Sequence, residues 1–139
     1  MNSITAQLQE DHDKVAESLL KLENALDISD DNKLLKELSE HLQFFMDFTC
    51  KEHHVKEEKL LLGWLSDQHP DSDKDVINRI SSEHKDVAQK VTSFLSRVSN
   101  FQVDDKSSLL CDIEDFIRMY RQHTDREEKF IFLIAEKIA

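Results

Sequence analysis

Gly63 and Pro70 are the only glycine and the only proline in this chain of 139 residues. Tight turns draw on residues that reach positive φ or pre-set a bend, and a fold of many short strands needs them roughly every ten positions. A chain with two such breakers folds compactly by running long helices with few corners between them. Hydrophobic residues make up 39% of the sequence and charged residues 34%, a mixture suited to helices with one apolar and one solvated face. The length is that of one unit able to bury a core, so residues 1–139 read as a single domain.

Apolar residues recur at helical spacing in four stretches. Ile4, Leu8, Val15, Leu19, Leu22 and Leu26 mark the first, which breaks at the polar cluster Ser29, Asp30, Asp31, Asn32. Leu38, Leu42, Phe45 and Thr49, then Leu60 and Trp64, mark the second. It stops at Asp67, Gln68, His69, Pro70, because proline disfavours helix in the residue before it. The third carries Ile77, Ile80, Val87, Val91, Phe94 and Val98, with Asp71 or Ser72 placed to cap its start and Ser99 and Asn100 near its end. The fourth follows Asp104 and Asp105 with Leu109, Phe116, Tyr120, Phe130 or Ile131, Ile134 and Ile138. Short connections between long amphipathic helices make neighbours antiparallel. The predicted fold is all-α, an up-down-up-down four-helix bundle.

Polar residues interrupt every stripe near its middle, and each interruption contains a histidine. The first helix reads Leu8, His12, Val15; the second Thr49, His53, Glu57, Leu60; the third Ile80, His84, Val87; the fourth Tyr120, His123, Glu127, Ile131. At about 100° per residue, positions i and i+4 lie only about 40° apart around a helix, so His53 with Glu57 and His123 with Glu127 share a face. His54 and Glu58 have the same spacing, but their line runs back through Cys50 and Asp47, which puts them mostly outside the seam. Glu128 lines up with Arg121 and Thr124, leaving Glu127 as the inward carboxylate. His54, Glu58 and Glu128 read as solvated residues or at most as outer partners that orient a ligand. His41 and His69 have no stripe behind them and read as surface residues. Tyr120 reads first as core, and second as a phenol near bound oxygen species. Cys50, one turn before His53, reads as a structural thiol.

Heights along the bundle test whether these groups can meet. Glu57 lies 13 residues before Pro70 and His84 lies 14 after it, while His84 and His123 are each about 18 to 21 residues from a turn near Phe101 and Gln102. The first hairpin matches less well: from a turn near Asp30, His12 is 18 residues back and His53 is 23 forward. Helix tilt or a longer connection would take up the difference.

Four imidazoles and two carboxylates inside one bundle cost several kcal/mol each unless they are paired or bound to a cation. Neutral imidazole nitrogen and carboxylate oxygen suit iron, manganese or zinc, and two carboxylates can bridge a pair of ions.

The set His12, the run from His53 to Glu58, His84 in Glu83-His84, and the run from His123 to Glu128 together resemble the hemerythrin-like, HHE cation-binding family. The resemblance spans nearly the whole chain. It implies a hemerythrin-like bundle with His12, His53, Glu57, His84, His123 and Glu127 as metal ligands, the two glutamates bridging two iron ions with an oxo or hydroxo bridge. Oxygen-carrying hemerythrins place a further histidine one turn before the third-helix ligand, where this chain has Ile80. Their fourth-helix carboxylate is usually an Asp five residues after the histidine, where this chain has Glu127 or Glu128. The pattern is closer to the four-His, two-Glu branch linked with nitric oxide, oxidative stress, iron homeostasis or sensing. The resemblance thus implies binding or sensing of O2, NO or reactive oxygen species such as H2O2. A small redox enzyme with its own redox partner, or an iron storage or donation protein, are the alternatives.

The rest of the composition narrows the field. Eighteen basic against 29 acidic residues give a net charge of −11, which repels nucleic acid and anionic membrane surfaces alike. No apolar run reaches the roughly 20 residues that cross a bilayer, and the start lacks a basic segment followed by an apolar one. Cys50 and Cys111 lack the spacing of a zinc or redox motif and read as reduced thiols. The expected location is cytoplasmic.

Overall fold

The computed structural model describes residues 3–63 and 74–132, without the side chains of residues 3–5, 60, 61, 74, 76 and 130–132. The stripe positions Ile4, Leu60, Trp64, Phe130, Ile131, Ile134 and Ile138, the break at residues 67–70 and the caps Asp71 and Ser72 fall outside that description.

The described residues form four helices and no strand. Helix α1 spans Ser3–Ala25 and α2 Asp31–Phe44. Without a break, α2 runs on through a π-helical stretch Phe45–His53, a single α-turn His54–Lys56 and a second π-helical stretch Glu57–Leu62. Helix α3 spans Lys74–Ser99. A 3₁₀ turn Val103–Asp105 leads into α4, Lys106–Arg126, which continues in π turns over Glu127–Phe132. Among the described residues no helix is long and apolar enough to cross a membrane.

The corners form where the polar clusters predict them. Asp30 caps α2 by accepting a hydrogen bond from the Lys33 amide at 2.8 Å, which satisfies one of the open donors of its first turn. Arg97 near the end of α3 ties the next corner, donating to Asp105 at 2.8 Å and to Asp112 at 2.8 Å. Neighbours run antiparallel: Gln9 meets Glu128 while Glu23 meets Arg121, and Glu83 meets Arg126 while Arg97 meets Asp112.

The predicted stripes become the core. Val15, Leu19, Leu22, Leu38, Leu42, Phe45, Val87, Val91, Phe94, Val98, Leu109, Phe116 and Tyr120 are buried in one cluster. Each such side chain contributes about 1.5–3 kcal/mol by leaving water. This cluster fills the end of the bundle near the α1–α2 and α3–α4 corners. Phe45 floors the rest, edge-on to Tyr120 with ring centroids 5.0 Å apart. Beyond that floor come the histidines, and beyond them Leu8, Leu62 and Ile80 are buried again. A polar layer therefore lies between two apolar ones.

Candidate metal centre

Each helix delivers its polar group from the middle of an apolar line. His12 lies between buried Leu8 and Val15, His84 between buried Ile80 and Val87, His53 follows buried Thr49, and His123 follows buried Tyr120. All six predicted residues, His12, His53, Glu57, His84, His123 and Glu127, meet inside the bundle, none more than 4% exposed. The mismatch between His12 and His53 is absorbed in the direction required. The π stretch Phe45–His53 lies between the start of α2 and the site, and i→i+5 turns place more residues in each turn than an α-helix does, so the chain rises less per residue.

Glu57 stands at the centre. Its Oε2 lies 3.3 Å from Nε2 of both His12 and His53, and its Oε1 lies 3.1 Å from Nε2 of His84. Glu127 spans the same gap: Oε1 is 2.8 Å from His123 Nε2 and 3.8 Å from His12 Nε2, and Oε2 is 3.8 Å from His84 Nε2. Glu57 takes part in two of the three ligand-sized groups among the described residues, one with His12 and His53 and one with His84 and Glu127, each with its donor atoms within 4.8 Å of one another.

Apart from the hydrogen bond between His12 Nε2 and Glu57 Oε2 at 3.3 Å, these groups are close without being hydrogen-bonded to one another. His53, His84 and His123 Nε2, Glu57 Oε1 and both Glu127 oxygens make up six of the eight buried side-chain polar atoms that lack a hydrogen-bond partner among the described residues. The remaining contacts are at ion-pair distances, too long or too poorly aligned for N–H···O bonds. Leaving so many buried polar atoms unsatisfied is costly. Lone pairs that converge past one another fit a cation placed between them, and the donor set is one that such a cation accepts.

Four further carboxylates surround these six residues and close into a ring. His53 Nδ1 donates to Asp11 at 3.1 Å, His84 Nδ1 to Glu58 at 3.3 Å, His123 Nδ1 to Glu83 at 2.6 Å and His12 Nδ1 to Glu128 at 3.3 Å. Every helix thus supplies the carboxylate for the histidine on the next. Each carboxylate is held in turn by a donor three residues from the histidine it serves: Lys56 on Asp11 at 2.7 Å, Ser81 on Glu58 at 2.8 Å, Arg126 on Glu83 at 2.8 Å and Gln9 on Glu128 at 3.1 Å. An ionised carboxylate only accepts, so it fixes a proton on Nδ1 and turns Nε2 inward, where a cation can take the place of its proton, the arrangement that orients metal-binding imidazoles. Glu58 and Glu128 act as the outer partners that were one sequence reading of them. Asp11 and Glu83 were not anticipated. Their signal is adjacency: each directly precedes a site histidine, and a residue about 100° round the helix faces the neighbouring helix.

Electrostatics follow from this crowding. Burial works against charge on His12, but the Glu57, Glu127 and Glu128 carboxylates outweigh it and carry its pKa up to about 9. His84 goes up to about 10 in the same way, with Glu127 and Glu57 outweighing burial. His123 also rises, since Glu127 and Glu83 overcome its burial. Burial pushes Glu57 up, yet His12, His53 and His84 more than reverse this and hold its carboxyl well below the usual range. Protons and a cation compete for the same nitrogens.

The structure corrects the placement of His54. Predicted to lie mostly outside the seam, it is buried, with Nε2 2.8 Å from the Tyr120 hydroxyl and its ring stacked on His84 at 3.9 Å between centroids. The prediction assumed α-helical phase throughout. The π stretches either side of His54–Lys56 add residues to each turn and rotate the line, so two consecutive histidines both face the interior. Tyr120 is fully packed, His41 is half-buried and bonded to Glu37 at 3.1 Å, and Cys50 and Cys111 are both free thiols.

Residues 3–134 match the family model described as the hemerythrin HHE cation binding domain. Comparison with curated proteins and with solved structures brings no match.

Proposed function

The chain belongs to the hemerythrin HHE cation-binding family, and from that premise we propose that it is a non-haem di-iron protein that binds or senses dioxygen, nitric oxide or a peroxide at the carboxylate-bridged site between its helices. The observation that supports this reading is the division of the site by Glu57, with one oxygen toward His12 and His53 and the other toward His84. A carboxylate used on both sides suits a pair of cations, with His12 and His53 holding one, His84 and His123 the other, and Glu57 and Glu127 shared. Among the cations these donors accept, iron adds affinity for dioxygen and nitric oxide and the electrons to reduce peroxide.

The protein's own residues keep that pair fixed and dry. Leu8, Leu62 and Ile80 are buried on one side of the polar layer and Phe45, Thr49 and Tyr120 on the other, which excludes bulk water and strengthens every electrostatic contact inside. The outer carboxylates hold each ring in one orientation. A groove between α1 and α4, lined by His12, Val15, Leu19, Thr124 and Glu128, gives a small ligand its approach to the His12 side.

A redox enzyme acting on peroxide or nitric oxide and an iron store or donor are the other activities such a site can support. The test is to load the protein with ferrous iron in the absence of oxygen and mix it separately with dioxygen, nitric oxide and hydrogen peroxide while following the visible spectrum. A change reversed by removing the gas is the expected result. Prompt irreversible oxidation with consumption of peroxide or nitric oxide assigns turnover instead. Iron that exchanges freely and reacts with none of the three overturns the proposal in favour of storage or donation.

A further inference from the structure

Resting on the metal-centre reading above, we propose that His54 is a further protein ligand, supplying through Nδ1 a third imidazole to the cation held by His84 and His123. Three observations carry this. The ligand nitrogens of His54, His84 and His123 lie within 4.8 Å of one another, in a third group that shares His84 with one of those built on Glu57. His54 is 3% exposed, its Nε2 is taken by the Tyr120 hydroxyl at 2.8 Å, and its Nδ1 is buried with no hydrogen-bond partner among the described residues. Its ring stacks on that of His84, with centroids 3.9 Å and planes 9° apart, so the two imidazoles sit side by side at the same edge of the site.

A buried imidazole nitrogen without a partner costs free energy, and a cation is the one partner the surrounding groups are built to hold. Bound through Nδ1, His54 keeps its single proton on Nε2, which faces the Tyr120 hydroxyl at 2.8 Å. The four other imidazoles turn Nε2 inward and rest Nδ1 on a carboxylate; His54 does the reverse and rests on a phenol. A neutral hydroxyl donates or accepts without adding charge, so it leaves His54 a weaker donor than its carboxylate-backed neighbours. The centre that follows is asymmetric. One side has three imidazoles and is closed by Tyr120; the other has His12 and His53 and meets the α1–α4 groove. One turn before His84, α3 offers only the buried apolar Ile80, and α2 supplies the additional ring.

The test compares iron-loaded wild-type protein with His54→Gly and Tyr120→Phe, with His41→Ala as a histidine control outside the site. His54→Gly is expected to release iron to a ferrous chelator roughly tenfold faster or more, with a shifted visible spectrum, and millimolar imidazole is expected to restore both by filling the vacated space. Tyr120→Phe is expected to shift the spectrum in the same direction by less. Far-UV circular dichroism of the metal-free variants checks folding, and His54→Gln, which keeps most of the side-chain volume, replaces His54→Gly if that variant does not fold. Wild-type release and spectrum in the His54 variants overturn the proposal while leaving the metal centre standing. Absence of iron from the loaded wild-type protein overturns both.

Discussion

His123 Nδ1 stands 2.6 Å from Glu83 Oε2, so the carboxylate directly before His84 on α3 serves the histidine on α4. The same relation recurs at Asp11 with His53, Glu58 with His84 and Glu128 with His12. Helix packing and ring orientation are therefore one problem: a helix that shifts carries with it the partner of its neighbour's imidazole.

Glu83→Gln breaks one link of that ring without emptying the inner set. An amide can present NH2 where the carboxylate only accepts, so His123 loses its fixed proton position. Metal retention is expected to weaken by about 10- to 100-fold, read by competition with a chelator. Glu17→Gln, in an exposed pair with Lys21, is the control expected to change nothing. Retention equal to wild type in Glu83→Gln contradicts a positioning role.

Removing the shared carboxylate has a different signature. Glu57 faces both halves of the site, so Glu57→Gln is expected to lower the metal bound per chain on both sides at once. Glu58→Gln, by contrast, keeps the stoichiometry and only loosens the hold. Metal analysis after gel filtration separates the two, and full occupancy in Glu57→Gln contradicts the bridging assignment.

How much of this was legible in the sequence depends on which geometry each residue obeys. His12, His53, Glu57, His84, His123 and Glu127 follow α-helical stripes through their apolar neighbours, and all six converge. The four-helix architecture followed from the same periodicity and from the scarcity of breakers. His54 escaped because its inward turn depends on π-helical phase, which no apolar repeat announces. Asp11 and Glu83 escaped because they act across helices: position i−1 is off the core stripe, and only the packed bundle reveals what it faces.

Stability should depend on pH with a definite sign. His12 and His84 have folded pKa values of about 9 and about 10 against 6.5 for the free side chain. Groups raised in this way stabilise the folded, metal-free protein fully below about 6.5, and the contribution is lost as pH rises through the folded values. The melting temperature of metal-free protein is expected to fall between pH 7 and pH 10. Metal binding displaces those protons, so apparent affinity rises over the same window and protons are released at pH 7, measurable with an indicator dye. Metal uptake at pH 7 without proton release contradicts the charged state assigned to these histidines.

The two thiols should differ in reactivity. Burial pushes the Cys50 thiol up to about 12, leaving almost no thiolate at neutral pH, whereas Cys111 is exposed. Iodoacetamide on native protein is expected to label Cys111 first, with Cys50 modified only after unfolding. Peptide mapping by mass spectrometry checks this, and equal labelling of the native protein contradicts it.

The central claim, a two-cation centre shared by Glu57 and Glu127, is tested most directly by counting iron. Protein loaded with ferrous iron in the absence of oxygen, then passed through gel filtration, is expected to retain two irons per chain and to develop new absorption toward the near ultraviolet on exposure to air. Retention of no iron, of a single iron, or of zinc alone under the same conditions would contradict it.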